Sequence, residues 1–181
     1  GYDSVTQDTQ SKPLLAGIRF QPREPIDAIL TQITTHYRCD RISGYVQKRH
    51  KDRDCGTLVY VRNLRSGAEM SITKNRGAMA KGCKLDGDAL SSLSEQLAQD
   101  IEAGSDLLIV ARFGRSEAEG RGLRDVISRA MELEIPVLVG VRGEYADAWA
   151  EFHGGIADTL PLDAQKIEAW LHMTARTLAS T

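Results

Sequence analysis

Apolar positions along the chain follow two rhythms. In "IDAILTQITTHY" (26–37), Ile26, Ile29, Leu30 and Ile33 recur at helical spacing, and in "DAQKIEAWLHMTARTLAS" (163–180) Ile167, Trp170, Leu171 and Leu178 share one face. Helices are also expected over 87–104, where Asp86 can cap the start and Gly104 the end, over 122–134, and over 144–155 with a glycine stop. The second rhythm is the short, nearly continuous apolar run. "PLLAGIRF" (13–20), "SDLLIVARF" (105–113) and "IPVLVGVR" (135–142) read as buried strands, and "RISGYVQKR" (41–49) as another. "TLVYVRNLRSGAEMSIT" (57–73) reads as a hairpin about Ser66-Gly67, and "IADTLP" (156–161) as a brief edge segment.

Strands thus alternate with helices. The fold class expected is α/β, a three-layer sandwich with a mostly parallel sheet and an antiparallel hairpin inserted after the second strand. Residues 107–112 and 137–141 should be neighbouring parallel strands at the sheet centre, because a helix of crossover length joins them. Residues 1–12 are polar and aperiodic and read as a tail or linker, leaving a single domain over 13–181.

Composition narrows the function classes. Of 181 residues, 23 are Lys or Arg and 25 are Asp or Glu, so the net charge of −2 carries no polyanion footprint and nucleic acid is not expected as a partner. No apolar run approaches the roughly 20 residues of a membrane span, and no signal peptide is visible. The three cysteines, Cys39, Cys55 and Cys83, are odd in number and widely spaced. A reducing cytoplasm is the plainer inference. A homo-oligomer is neither required nor excluded.

In an open parallel sheet, ligands bind beyond the carboxyl ends of the strands. "QPREP" (21–25), "FGRSEAEGRG" (113–122) and "RGEY" (142–145) should gather there, and the basic stretch "KNRGAMAKGCK" (74–84) can join them. In the second of these, Arg115, Arg121 and Arg124 can grip an oxyanion by two-pronged hydrogen bonds. Glu117 and Glu119 can orient the arginines, act as a general base or hold magnesium through water. A solvated turn with internal ion pairs is the alternative. The basic stretch offers Lys74, Arg76, Lys81 and Lys84, with Cys83 as a reactive thiol, a soft ligand or simply a small buried residue. His50, Asp54 and Cys55 make a weak metal set beside the reading of a polar loop, and His153 reads as a helix-end residue. Trp149, Phe152 and Trp170 read as core anchors. No G-x-x-x-x-G-K-[ST] follows the first strand, and "LLIVAR" ends in Ala111-Arg112 rather than in a magnesium-holding acid.

"RGAMAKGCKLD", "DLLIVARFGRSEAEGRGLRD", "IPVLVGV" and "AWAEFHGGIADTLP", in that order, resemble an uncharacterised bacterial family, domain-of-unknown-function family 2478, over about residues 13–172. That family in turn resembles the small P-loop nucleoside triphosphatases first described from thermophiles. The resemblance implies a P-loop-like fold with an eroded catalytic apparatus, and a setting near molybdate transport that would suit an oxyanion site. Three functions follow as expectations. The first is an anion- or nucleotide-binding regulatory module. The second is a triphosphatase or phosphotransferase with Glu117 as base or magnesium ligand. The third is a pure protein-interaction module.

Overall fold

The computed structural model describes residues 14–37, 40–53, 56–75 and 83–179. The expected tail at 1–12 lies outside them, as do Cys39, Asp54, Cys55, Arg76 and Lys81. In chain order the elements are β1 (Leu15–Phe20), α1 (Ile26–His36), β2 (Ile42–Asp52), β3 (Gly56–Asn63), β4 (Glu69–Ser71), β5 (Thr73–Asn75) and β6 (Cys83–Leu85). There follow α2 (Gly87–Glu102), β7 (Leu107–Phe113), a one-turn α3 (Arg115–Ala118), α4 (Arg124–Glu132), β8 (Val137–Arg142), α5 (Ala146–His153), β9 (Asp158–Leu160) and α6 (Ala164–Ala179).

Seven strands form one sheet in the order β4-β3-β2-β7-β8-β1-β9. β2, β7, β8, β1 and β9 run parallel, with Val110 opposite Val139 and Ile18 opposite Gly140 and Leu160. The two apolar runs expected at the centre, β7 and β8, are therefore parallel neighbours. Both are buried along almost their whole length, because helices cover each face of the sheet. α1 and α6 pack together on one side, α2 and α4 on the other. Trp170 donates its indole N–H to Asp158 at 2.9 Å, which ties α6 to the edge strand β9.

The antiparallel insertion forms the expected hairpin about Ser66-Gly67 and gains a second partner. β3 pairs with the short β4 on one side and, over eight residues, with β2 on the other, Tyr45–Asp52 against Gly56–Asn63. Period-2 alternation in "TLVYVRN" shows that a strand has two unlike faces, but not which neighbour it pairs with. β2 is accordingly longer than expected, its polar second half largely exposed. β5 and β6 form a separate two-stranded ribbon at the two ends of the basic stretch. The helix expected over 122–134 begins later, at Arg124, because Gly120 and Gly122 adopt positive φ of 92° and 67° and end the preceding turn.

β2 approaches β7 closely at Gly44, whose φ is 122° and whose absent Cβ would overlap the Ile109 carbonyl oxygen. Gly44→Ala should destabilise the domain by about 1–3 kcal/mol, since strand separation and backbone must both yield. The midpoint of urea unfolding measures this, and an unchanged midpoint would contradict the close approach.

Candidate functional site at the strand carboxyl ends

Because β7, β8 and β1 are adjacent and parallel, the segments that follow them leave the same end of the sheet. The three stretches expected to gather there do so. At the ends of β1 and β8 the protein's own groups engage one another. After β1, the backbone turns sharply, with Arg23 at φ 76°, and the Glu24 carboxylate accepts the amide N–H of Gln21 at 2.6 Å. The Gln21 side chain lies against Gly143, at the start of the segment after β8. Arg142 pairs with Glu144 and stacks on the Tyr145 ring at 5.4 Å.

Arg112, at the end of β7, makes the central contact. Its Nη1 and Nη2 donate to the two carboxylate oxygens of Asp27 at 3.1 and 2.8 Å. Asp27 sits in the first turn of α1, where a carboxylate is favoured by the helix dipole. The same carboxylate accepts the amide N–H of Gln47 from β2 at 2.8 Å. Phe20, the last residue of β1, presents its ring 5.8 Å from the guanidinium. Both side chains of the pair are 23% exposed, so water is largely excluded. Tyr45 completes the contact: its hydroxyl bridges the backbone N–H and C=O of Arg112, each at 3.4 Å, and burial pushes its pKa far above the ordinary value. The absent acid at the end of β7 is thus replaced by a cation with its own internal counter-ion. Among the described residues, no three His, Cys, Asp or Glu side chains converge as metal ligands.

The turn after β7 is built on Glu117. Its carboxylate is buried, with Oε1 accepting the N–H of Gly114 at 2.9 Å and Oε2 that of Leu123 at 3.0 Å. The two ends of the turn are therefore fastened to one side chain by charge-assisted hydrogen bonds, worth roughly 1.5–3 kcal/mol each. Gly122 is required here twice over, for its positive φ and because a Cβ would overlap the Glu117 carboxylate. Both oxygens of Glu117 are occupied within the loop, which is the work of a clamp. Glu119 lies outside and accepts from Arg115 Nε at 2.9 Å and from Arg121. The hydrogen bond from Arg115, reinforced by both guanidinium charges, holds the Glu119 carboxyl below the usual range. Arg115 and Arg121 remain 84% and 70% exposed. Arg124 donates to the Glu117 carbonyl at 3.3 Å and rests 4.8 Å from the Phe152 ring.

Beside this turn lies a cavity of about 210 Å³. Its apolar walls come from Tyr45 and Val61 of the sheet, Leu90 and Leu93 of α2, and Leu123. Ile72 and the exposed Leu85 close the side where β5 and β6 lie. Arg112 and Arg115 stand at the turn side, with Gln47 and Ser116. Sequence reasoning missed this cavity, because its walls come from five separate stretches. Of the basic stretch, Lys74 is exposed and lies 3.6 Å from the cap residue Asp86. Cys83 opens β6 opposite Asn75, while Arg76 and Lys81 lie outside the described residues. His153 does end its helix: Nδ1 accepts the N–H of Gly155 at 2.9 Å, and burial lowers its pKa. Phe113, Trp149 and Phe152 form one aromatic cluster, with Trp149 and Phe113 ring centroids 5.3 Å apart.

The model of the family described as protein of unknown function (DUF2478) matches residues 15–170. The chain belongs to this family. A relative named molybdenum import ATP-binding protein ModC 2, from Bradyrhizobium diazoefficiens, is 36% identical over 164 residues. The match takes in 89% of the present chain but only 18% of that relative. Among solved structures, THEP1 from the hyperthermophile Aquifex aeolicus superposes with a TM-score of 0.57, covering 87% of this chain and 94% of its own. At 11% identity that likeness concerns the fold, which is the α/β, mostly parallel, P-loop NTPase-like architecture. No helix among the described residues is long and apolar enough to cross a membrane.

Two predictions follow from these contacts. Glu117→Gln turns one carboxylate oxygen into an N–H₂ group facing a backbone N–H. It should cost about 1–3 kcal/mol of stability, with faster amide hydrogen exchange at Gly114 and Leu123. Asp27→Asn leaves Arg112 half-buried without its counter-charge and should cost about 1–3 kcal/mol, between the values for exposed and fully buried pairs. Asp27→Leu combined with Arg112→Met should recover most of that loss in urea unfolding, since neither charge is then left alone.

Proposed function

We propose that this domain is a binding module for a small anion, an oxyanion such as molybdate or the phosphate of a nucleotide, and that it acts as a regulatory element rather than as a hydrolase. The supporting observation is the turn from Gly114 to Arg124. It is fastened internally by Glu117 and presents Arg115 and Arg121 to solvent at the carboxyl end of β7. Arg115 uses Nε for Glu119, which leaves its terminal nitrogens for a two-pronged grip. Three arginines against two glutamates in this turn leave one net positive charge. Lys74, exposed on β5 beside Asp86, adds a further cation from the side of the ribbon.

A hydrolase reading has less support. Phosphoryl transfer needs positioned cations and, in this fold class, a magnesium ion held by acids. Here a guanidinium occupies the end of β7 and would repel a dication, its carboxylate partner is already bound to it, and Glu117 is engaged by two amides. An eroded phosphate loop fits the self-closed turn at Gln21–Glu24. The molybdenum-import relative agrees with an oxyanion ligand. Import and ATP binding there are named for a chain of which the matched region is 18%.

The test is a thermal-shift screen with sulfate, phosphate, molybdate, tungstate and ATP, followed by calorimetric titration. Arg115→Ala and Arg121→Ala should each weaken binding of the best anion by roughly 10- to 150-fold, the worth of a charge-assisted hydrogen bond. Arg129→Ala, at the far end of α4 and paired with Glu102 and Glu132, should not. Turnover of ATP with magnesium should stay at background. No shift with any anion, or unchanged binding by both variants, would falsify the proposal and favour a protein-interaction surface. Robust turnover lost in Glu117→Gln would favour the enzyme.

A further inference from the structure

We infer that the cavity beside the Gly114–Arg124 turn receives the apolar ring of an organic monoanion whose acid group is held by Arg115. This rests on the anion-binding reading of Arg115 and extends it from inorganic oxyanions to a carboxylic acid that carries a ring.

Size is the first argument. A cavity of about 210 Å³ exceeds the ~150 Å³ that suffices for a benzene ring and leaves room for a short acid arm. It is too small for a whole nucleotide. Wall chemistry is the second. Val61, Ile72, Leu90, Leu93 and Leu123 offer only hydrocarbon. The polar groups that do reach the cavity are mostly spent: the Tyr45 hydroxyl on the Arg112 backbone, and both Glu117 oxygens on amides. Besides these and the arginines Arg112 and Arg115, Gln47 and Ser116 are the polar side chains among the described residues that line it. A nucleobase would bring several ring and exocyclic polar atoms into this space and leave most of them unpaired, which weakens binding. A plain aromatic ring has no such penalty.

Charge is the third argument. Arg112 is neutralised by Asp27, whereas Arg115 lines the same cavity and, of its guanidinium nitrogens, engages Nε with Glu119. The single net positive charge of the turn matches one carboxylate, held in the planar fork geometry that guanidinium favours. An arylalkanoic acid of one ring therefore fits the walls, the volume and the charge together.

Phenylacetate is the probe, with acetate, phenylacetamide, adenosine and sulfate as comparisons, titrated calorimetrically into the full chain. Phenylacetate should bind about 10- to 150-fold tighter than acetate, the effect of burying the ring, and phenylacetamide should lose the contribution of Arg115. Leu90→Trp, which fills the cavity from α2, should abolish the advantage of phenylacetate over acetate while leaving sulfate binding intact. Retained sulfate binding shows that the variant is folded and its arginines are in place. Arg115→Ala should weaken phenylacetate and sulfate alike. If sulfate binds through Arg115 but phenylacetate is no better than acetate, or if Leu90→Trp binds phenylacetate like the parent, the ring site is overturned and the anion module stands. Adenosine binding tighter than phenylacetate overturns the ligand class. If neither sulfate nor phenylacetate binds, both readings fall.

Discussion

The ion pair between Asp27 and Arg112 is the constraint on which the functional end of this molecule depends. It joins the first turn of α1 to the end of β7 and takes in the edge of β2 through the Gln47 amide. Two charges three-quarters withdrawn from water interact strongly, but only while both are present and hydrogen-bonded. The pair therefore fixes how α1 lies across the strand ends. It also places a permanent cation in the crevice where open parallel sheets present their ligands. With Glu24 turned onto Gln21 and Gln21 against Gly143, that crevice has little left to offer. The open space lies to one side, between the turn after β7, the helix α2 and the β5–β6 ribbon.

The turn after β7 solves a related problem by a different use of charge. A strand buried on both faces must release its chain into solvent without leaving amides unpaired. Glu117 does this from inside the loop, serving Gly114 and Leu123, and Gly122 makes room for it. With one acid spent on the backbone and another, Glu119, shared between two arginines, the surface of the turn is mildly positive. The cavity meets that surface at Arg115, one of its lining residues.

The architecture itself is conservative. The parallel order of strands and the two helix layers are those of a P-loop NTPase-like fold, matched by THEP1 over most of both chains. The chemistry at the strand ends is a separate matter, because a fold supplies positions and side chains supply function. At the end of β7 an acid and an arginine would confer opposite properties on the same backbone.

The sequence by itself determined the strands and helices of the core, since burial on two faces demands unbroken apolar runs such as those of β7 and β8, and burial on one face demands the 3.6-residue period seen in α1 and α6. It also pointed to the glycine- and charge-rich stretch at 113–122, because strand, glycine and charge are adjacent in the chain. It held no sign that Glu117 would turn inward while Glu119 turned outward, for both are acids two residues apart in the same short loop. Nor did it show that Asp27 would meet Arg112 across 85 residues, that β3 would fold back on β2, or that Val61, Ile72, Leu90 and Leu123 would wall one cavity. Periodicity records the environment of a residue along its own element. Which distant residues complete that environment is decided by how the elements pack, and only the tertiary structure contains it.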